Sequence, residues 1–233
     1  MHYDPLSGIA YDKEEERIFR AVFIILSINY NPVLNLTFIM EELLAFLNSI
    51  AIAEGSRLSE ACLSYLRSVI KEMTLNKKEH LLRPGQICRN IYFIKEGLLK
   101  CYYILHDEEV SDWFFGEGET VVSVDSFYDQ IIGDDYIQAL EKTKLLYIRY
   151  EHLTHLYRTY VEFNVIGRVL TNKYLRIWHR QMRDNRRLTA EERYNMLLER
   201  NPSFIKRVPV QDLASFLNMK RETLSRMRNK ATK

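Results

Sequence analysis

Residues Val210 to Arg228 read VQDLASFLNMKRETLSRMR, and the fold prediction for the whole chain starts from this stretch. Its apolar residues recur at spacings of three or four on either side of a break, as in two short helices that pack across a tight turn. Ala214 supplies a small residue where the helices cross, and Asn218 tolerates the left-handed backbone of such a turn. The stretch therefore predicts a helix-turn-helix with a core of Leu213, Leu217, Met219, Leu224 and Met227.

The second predicted helix begins with long or hydrogen-bonding side chains on its outer face. A helix that enters the major groove of DNA needs such side chains in its first turns to reach the base edges. A surface helical hairpin with a basic face is the alternative. The candidate DNA-binding residues are Lys220, Arg221, Glu222, Thr223, Ser225 and Arg226.

The net charge of +2 conceals an uneven distribution along the 233 residues. Of the 33 Lys and Arg residues, 17 lie in 168–233, whereas only 6 of the 31 Asp and Glu residues do. The C-terminal part is therefore basic and attracted to polyphosphate, and the N-terminal part is acidic.

Cysteines, apolar runs and motifs restrict the class of protein. Cys62, Cys88 and Cys101 form neither a CxxC pair nor an even set, which is typical of reduced thiols in a cytoplasmic protein. The apolar run over 18–28 is about half the ~20 residues of a membrane span, so no membrane partner is expected. The sequence lacks the GxSxG, P-loop and dinucleotide motifs and a cupin-like histidine cluster, so we expect neither an enzyme nor a metal site.

The N-terminal part is predicted to be helical after an extension. Residues 1–39 fit poorly with the amphipathic pattern that begins after them, and one hypothesis is that Met40 is the native start; the alternative is that the extension belongs to the native protein. Residues 40–73 carry apolar residues at helical spacing.

The block from Thr74 to Arg149 changes to short runs of Tyr, Phe, Val and Ile separated by polar turns. This pattern predicts an antiparallel β-roll or β-sandwich. Glu96-Gly97 is interpreted as a hairpin turn. The predicted strands are Ile91–Ile94, Leu98–Leu105, Val110–Phe115, Val121–Val124, Tyr136–Leu140 and Leu145–Ile148.

A long helix is predicted from Glu162 to about Asn185, after a short one over 151–160. Its broad apolar stripe could pack on the β-roll on one side and on a second copy of the chain on the other, so we expect a homodimer; packing only within one chain is the alternative. The stripe consists of Phe163, Ile166, Leu170 and Ile177, widened by Val169, Trp178 and Met182.

A further helix should come after a joint near 184–188. Thr189 to Glu192 reads TAEE, a capping box that starts a helix through about Arg200. We expect Tyr194, Leu197 and Leu198 to pack this helix onto the helix-turn-helix.

Two motifs carry a resemblance to a known family. Arg221-Glu222-Thr223-x-x-Arg226 is similar to the recognition-helix motif of the cyclic AMP receptor protein. Arg83-Pro84-Gly85 followed by Tyr92-Phe93-Ile94-x-x-Gly97 is similar to the start of its sensor domain. Over Met40 to Asn229 the chain resembles the Crp–Fnr family of bacterial transcription regulators, and IQALE at 137–141 and AEERY at 190–194 resemble its Bacteroidetes-type branch.

The resemblance implies an α+β fold with a cyclic-nucleotide-binding-like jelly roll, flanking helices, a dimerisation helix and a C-terminal helix-turn-helix. The implied segments are 1–39 (extension), 40–160 (β-roll), 161–187 (dimerisation helix and joint) and 188–233 (DNA-binding). Arg221 and Arg226 would contact guanines, and Glu222 would accept from cytosine. The implied partners are a second copy and double-stranded DNA with TGTGA-like half-sites in an inverted repeat.

The sensor segment departs from the family pattern. Members that bind cyclic nucleotides carry an arginine for the phosphate, where this chain has Gly133-Asp134-Asp135-Tyr136. Carboxylates repel a phosphate, so we expect no cyclic AMP and no cofactor; the pocket binds either an unknown small-molecule effector or nothing. The alternative is a ligand-independent dimer whose β-roll contacts RNA polymerase or another protein. The candidate pocket residues are Ser123, Asp125, Asp134, Asp135 and Tyr136.

Overall fold

The computed structural model describes residues 2–3, 10–11 and 36–231. Two short strands, β1 (His2–Tyr3) and β2 (Ala10–Tyr11), pair with each other. The prediction for the 1–39 extension otherwise falls almost entirely outside the described residues. Helix α1 (Leu36–Ala53) already includes 36–39, so the helical part begins four residues before the predicted boundary at Met40.

The N-terminal helical region is shorter than predicted. Helix α2 (Glu60–Val69) is separated from α1 by a turn, and strand β3 (Lys71–Leu75) comes directly after it. The Ser59 side chain accepts a hydrogen bond from the backbone N–H of Cys62 and so caps the start of α2. The helical prediction for 40–73 is therefore wrong in the turn between the helices and in the first residues of β3.

Two four-stranded antiparallel sheets form a β-sandwich at the centre of the chain, as the fold prediction required. Besides β3, their strands are β4 (His80–Leu82), β5 (Asn90–Glu96), β6 (Leu99–Leu105), β7 (Glu108–Phe115), β8 (Thr120–Val121), β9 (Tyr136–Ala139) and β10 (Thr143–Arg149). The strand orders are β3-β10-β5-β8 and β4-β9-β6-β7. The main core lies between the sheets and α1, α2 and the helices after β10.

The connections between strands correct two local predictions. Glu96-Gly97 does not form a hairpin, because β5 and β6 belong to different sheets and the chain crosses between them here. The hairpin joins β6 and β7 at His106 and Asp107, whose φ angles of 51° and 66° fit a type I′ turn. The predicted strand over 121–124 ends at its first residue, and its last residue, Val124, is already the first residue of α3 (Val124–Asp129).

The long helix α5 (Phe163–Arg187) comes after α4 (Tyr150–Thr159) and extends over about 37 Å at ~1.5 Å per residue. Its first turns bury Phe163 and Ile166 in the main core. Further along, Leu175, Trp178 and Met182 expose 58%, 59% and 39% of their surface. The predicted apolar stripe thus packs on its own chain only over its N-terminal part.

After α5, the residues that the structure describes form four further helices: α6 (Ala190–Arg200), α7 (Pro202–Arg207), α8 (Val210–Phe216) and α9 (Arg221–Ala231). The capping box of Thr189 and Glu192 at the start of α6 is confirmed. Leu198, predicted to pack on the helix-turn-helix, is instead 40% exposed. A second core combines these helices with the β-sandwich; its buried members are Leu98, Phe114, Tyr194, Phe204, Ile205, Val208, Leu213, Ala214, Leu217 and Leu224.

Candidate DNA-binding surface and ligand pocket

The turn between α8 and α9 has the predicted geometry. Asn218 adopts a φ of 50°, in the left-handed region. The backbone N–H of Met219 donates to the carbonyl of Ala214 at 3.0 Å. Arg193 of α6 donates its Nε to the carbonyl of Leu217 at 2.9 Å and its Nη2 to that of Asn218 at 3.3 Å. This role of Arg193 was not predicted, and only its position within the AEERY stretch could have suggested it.

The structure brings the six candidate DNA-binding residues together at the start of α9. Lys220, Arg221, Glu222 and Arg226 are exposed. Thr223 and Ser225 are half-buried, while Leu224 between them is fully buried. Positions 221, 222, 225 and 226 share the outer face of the helix because the first two precede the last two by about one helical turn. The buried side anchors the helix, and the exposed side presents two arginines and a carboxylate to solvent.

The helix-turn-helix also packs against the outer face of the β-sandwich, a contact that no sequence pattern predicted. The ring of Phe114 on β7 lies 5.1 Å from that of Phe216 and 6.0 Å from that of Phe204, both edge-on. The backbone N–H of Ser111 donates to Ser215 Oγ at 3.0 Å. Helix α8 is therefore held by apolar and polar contacts to β7.

Buried charges reinforce this contact. Lys100 is only 4% exposed, and its Nζ lies 2.6 Å from Glu109 Oε2 and 3.2 Å from Asp212 Oδ1 on α8. A buried ammonium without such partners would carry a large desolvation cost. The ion pair therefore favours the docked position of α8.

A second ion-pair cluster lies at the end of α7. Arg207 donates to both carboxylate oxygens of Glu117, at 2.7 and 2.9 Å, and to Glu141 at 2.5 Å. Burial alone would raise the pKa of Glu117, but the hydrogen bonds from Arg207 and from the backbone N–H of Gly97 outweigh it and lower the pKa. Glu117 is thus held in its charged form.

A pocket of about 1000 Å³ lies between the β-sandwich, α1, α3 and α5. Four of the five predicted pocket residues line it: Ser123, Asp125, Asp134 and Asp135. Tyr136 does not, and its ring stacks instead on that of Tyr102 at 4.7 Å. Tyr136 was misplaced because neighbouring residues of a strand point to opposite faces of the sheet.

The pocket contains charged groups that were not among the predicted residues. Asp112 lines it, and burial followed by the nearby Asp135 carboxylate raises the pKa of Asp112. Ser123 Oγ donates to Asp135 Oδ2 at 2.5 Å. Lys173 is the only lysine, arginine or histidine in the described lining; burial lowers its pKa, and Glu119 partly offsets this. Asp112 lies in a segment predicted to be a strand, and Lys173 lies within the predicted dimer stripe of the long helix. No local sequence motif marked either residue as part of a pocket.

Membrane-spanning helices and metal centres are absent from the described residues. No helix there is long and apolar enough to cross a membrane. Over the same ranges, no group of three His, Cys, Asp or Glu side chains could hold a metal ion.

Solved structures with a similar fold are bacterial regulators. FixK2 from Bradyrhizobium japonicum aligns with a TM-score of 0.60 and 20% identity over 70% of this chain and 84% of its own. CLP from Xanthomonas campestris, a c-di-GMP-responsive global regulator, aligns with a TM-score of 0.57 and 20% identity over 75% of this chain and 92% of its own. A protein from Eubacterium rectale, described as a transcriptional regulator of the Crp/Fnr family, aligns with a TM-score of 0.59 and 15% identity over 74% of this chain and 83% of its own.

At this level of identity the likeness establishes the fold. No protein-family model and no curated protein sequence matches this chain.

Proposed function

We propose that this chain, which has the fold of Crp–Fnr regulators, is a dimeric transcription regulator that binds DNA in a sequence-specific manner. The observation that carries the proposal is the start of α9. There an anchored helix exposes Lys220, Arg221, Glu222 and Arg226 beside a turn of helix-turn-helix geometry. Arginine can donate two hydrogen bonds to guanine, and glutamate can accept one from cytosine, so this set can discriminate G·C pairs.

The proposed chain division is a β-roll over 40–160, a dimerisation helix and joint over 161–187 and a DNA-binding part over 188–233. Two copies joined along α5 would present two α9 helices to an inverted repeat. The exposed apolar side chains of Leu175, Trp178 and Met182 on the later turns of α5 support this arrangement, and the first two also line the β-roll pocket.

Selection of binding sites from random double-stranded DNA tests the proposal. We expect an inverted repeat with half-sites similar to TGTGA. Absence of any enriched sequence would refute specific DNA binding. An enriched half-site without G·C pairs would refute the roles given to Arg221, Glu222 and Arg226.

The pocket of the β-roll is proposed to bind an effector other than cyclic AMP. Asp112, Asp125, Asp134 and Asp135 line it, and a cyclic phosphate would be repelled by their charges. Calorimetric titration with cyclic AMP should show no binding at micromolar concentration; saturable binding there would contradict the proposal.

A further inference from the structure

A β-bulge gives the pocket its acidic wall. In the β6–β7 pair, Cys101 faces Trp113 and Tyr102 faces Ser111, which leaves Asp112 as an extra residue on β7. A bulge of this kind redirects side chains. Ser111 and Phe114 therefore face the helix-turn-helix, whereas the adjacent Asp112 and Trp113 both line the pocket.

Within the described residues, no ion pair involves the carboxylates of Asp112, Asp125, Asp134 or Asp135, and Lys173 interacts electrostatically with Glu119. Carboxylates grouped at the edge of an apolar pocket repel one another. A positive charge in the pocket would relieve this repulsion.

A buried thiol marks the inner end of the same group. Cys101 lines the pocket and is only 7% exposed, and its thiol forms no hydrogen bond among the described residues. Burial raises the pKa of Cys101, and the charges of Asp135, Asp112 and Asp134 raise it further. The group does not have the geometry of a metal site, so an organic cation fits it better than a metal ion.

The rest of the wall is apolar and aromatic. Trp113 and Phe115 come after Asp112 on the same strand, and their rings are 6.2 Å apart. Aromatic faces attract cations and also pack against apolar bodies. The volume of about 1000 Å³ is large enough for a drug-sized molecule.

We propose that the pocket binds an organic cation with an apolar or aromatic body, its ammonium group held by Asp112 and Asp135 and its body packed on Trp113 and Phe115. The inference rests on the proposed function for calling this molecule the effector. The proposed ligand carries a positive charge, whereas a cyclic nucleotide carries a negative one. Strand β7, which contacts the ligand on one face and α8 on the other, would connect the two sites.

Three probes that share a phenyl ring and four methylene groups but differ in charge test the proposal by calorimetry on the full chain without DNA: 4-phenylbutylamine, 4-phenylbutan-1-ol and 5-phenylpentanoate. We expect the amine to bind at least about tenfold more tightly than the alcohol, because only its ammonium group adds the attraction of opposite charges to a hydrogen bond with the carboxylates. The carboxylate should bind more weakly than the alcohol. Equal affinities, a preference for the carboxylate, or no saturable amine binding at millimolar concentration would overturn the proposal.

Variants locate the binding site. Asp112→Asn should remove the preference for the amine while the alcohol binds as before. Asp112 is exposed to the pocket and makes no hydrogen bond among the described residues, so the variant should fold. Asp129→Asn, at an exposed carboxylate on α3 that does not line the pocket, is the matched control and should keep the preference. Retained preference in Asp112→Asn would refute the assignment, whatever the outcome of the DNA selection.

Discussion

At the scale of single residues, Asn218 shows how one backbone angle permits the helix-turn-helix. Its φ of 50° lets the chain reverse so that Leu217 and Leu224 meet in one core. Asparagine and glycine occupy this conformation with little strain, whereas alanine is strained in it.

Asn218→Ala should therefore lower the free energy of unfolding by about 1 kcal/mol. Asn218→Gly should stay close to the parent, because glycine accepts the same φ without strain. Urea unfolding followed by circular dichroism measures both. An alanine variant as stable as the glycine variant would contradict the role of the turn.

Arg221 and Lys220 are adjacent and exposed, but we expect different roles for them. Arg221→Ala should reduce the discrimination between the selected site and a scrambled one by about 1–3 kcal/mol, since a bidentate contact to guanine is lost. Lys220→Ala should weaken both sites alike, as expected for a phosphate contact. Fluorescence anisotropy at several salt concentrations distinguishes the two; a uniform loss in Arg221→Ala would contradict base recognition.

At the scale of elements, α5 has two different halves. Its N-terminal turns belong to the main core, and Tyr174 Oη accepts hydrogen bonds from the backbone N–H and Oγ1 of Thr120 at 2.7 and 2.8 Å. The later turns leave Leu175, Trp178 and Met182 exposed on one face. The same helix can thus hold the β-roll and still offer an apolar surface to a second copy.

Trp178→Glu should weaken the dimer by at least about 2 kcal/mol, because a large apolar contact is replaced by a charge without a partner. Light scattering during size-exclusion chromatography over a range of concentrations measures this change. The control Asn195→Glu introduces the same charge at an exposed position of α6 and should leave the dimer intact. A Trp178→Glu protein that remains dimeric would rule out this face as the interface.

At the scale of the whole molecule, β7 is shared by the two cores. Phe114 lies in the core of the helix-turn-helix, whereas Phe115 lies in that of the β-roll. Lys100 and Arg207 add ion pairs between the same two parts of the chain. Helix α9, which carries the candidate DNA-binding residues, is therefore positioned through α8, which contacts the strand that lines the pocket.

Arg207→Ala should lower the free energy of unfolding by about 1–2 kcal/mol at neutral pH. The expected loss is smaller than for a fully buried cluster, because solvent screens these partly exposed ion pairs. The pKa of Glu117 is lowered in the folded state, so its contribution is fully present above its unfolded pKa and is lost as pH falls through the folded pKa. The difference between parent and variant should consequently shrink below about pH 4.5.

Urea titrations at several pH values measure this difference, and Arg89→Ala, at an exposed arginine outside the cluster, is the control. A pH-independent difference would show that Glu117 does not take part.

The sequence by itself determined the parts of the fold that depend on neighbours in the chain. The spacing around Asn218, the capping box at Thr189 and most strands between 90 and 149 were predicted, because each signal acts within a few residues. The short strands β3 and β4 were missed, since they are brief and largely polar on one side.

Only the tertiary structure decided which segments meet. Glu96-Gly97 resembles a turn locally, but whether its flanking strands pair depends on strands far along the chain. Asp112 reaches the pocket through a bulge defined by its pairing with β6, and Lys100 finds Asp212 only once the helix-turn-helix docks. Periodicity fixes which side chains share a face, whereas the partner of that face is set by the packing of distant segments.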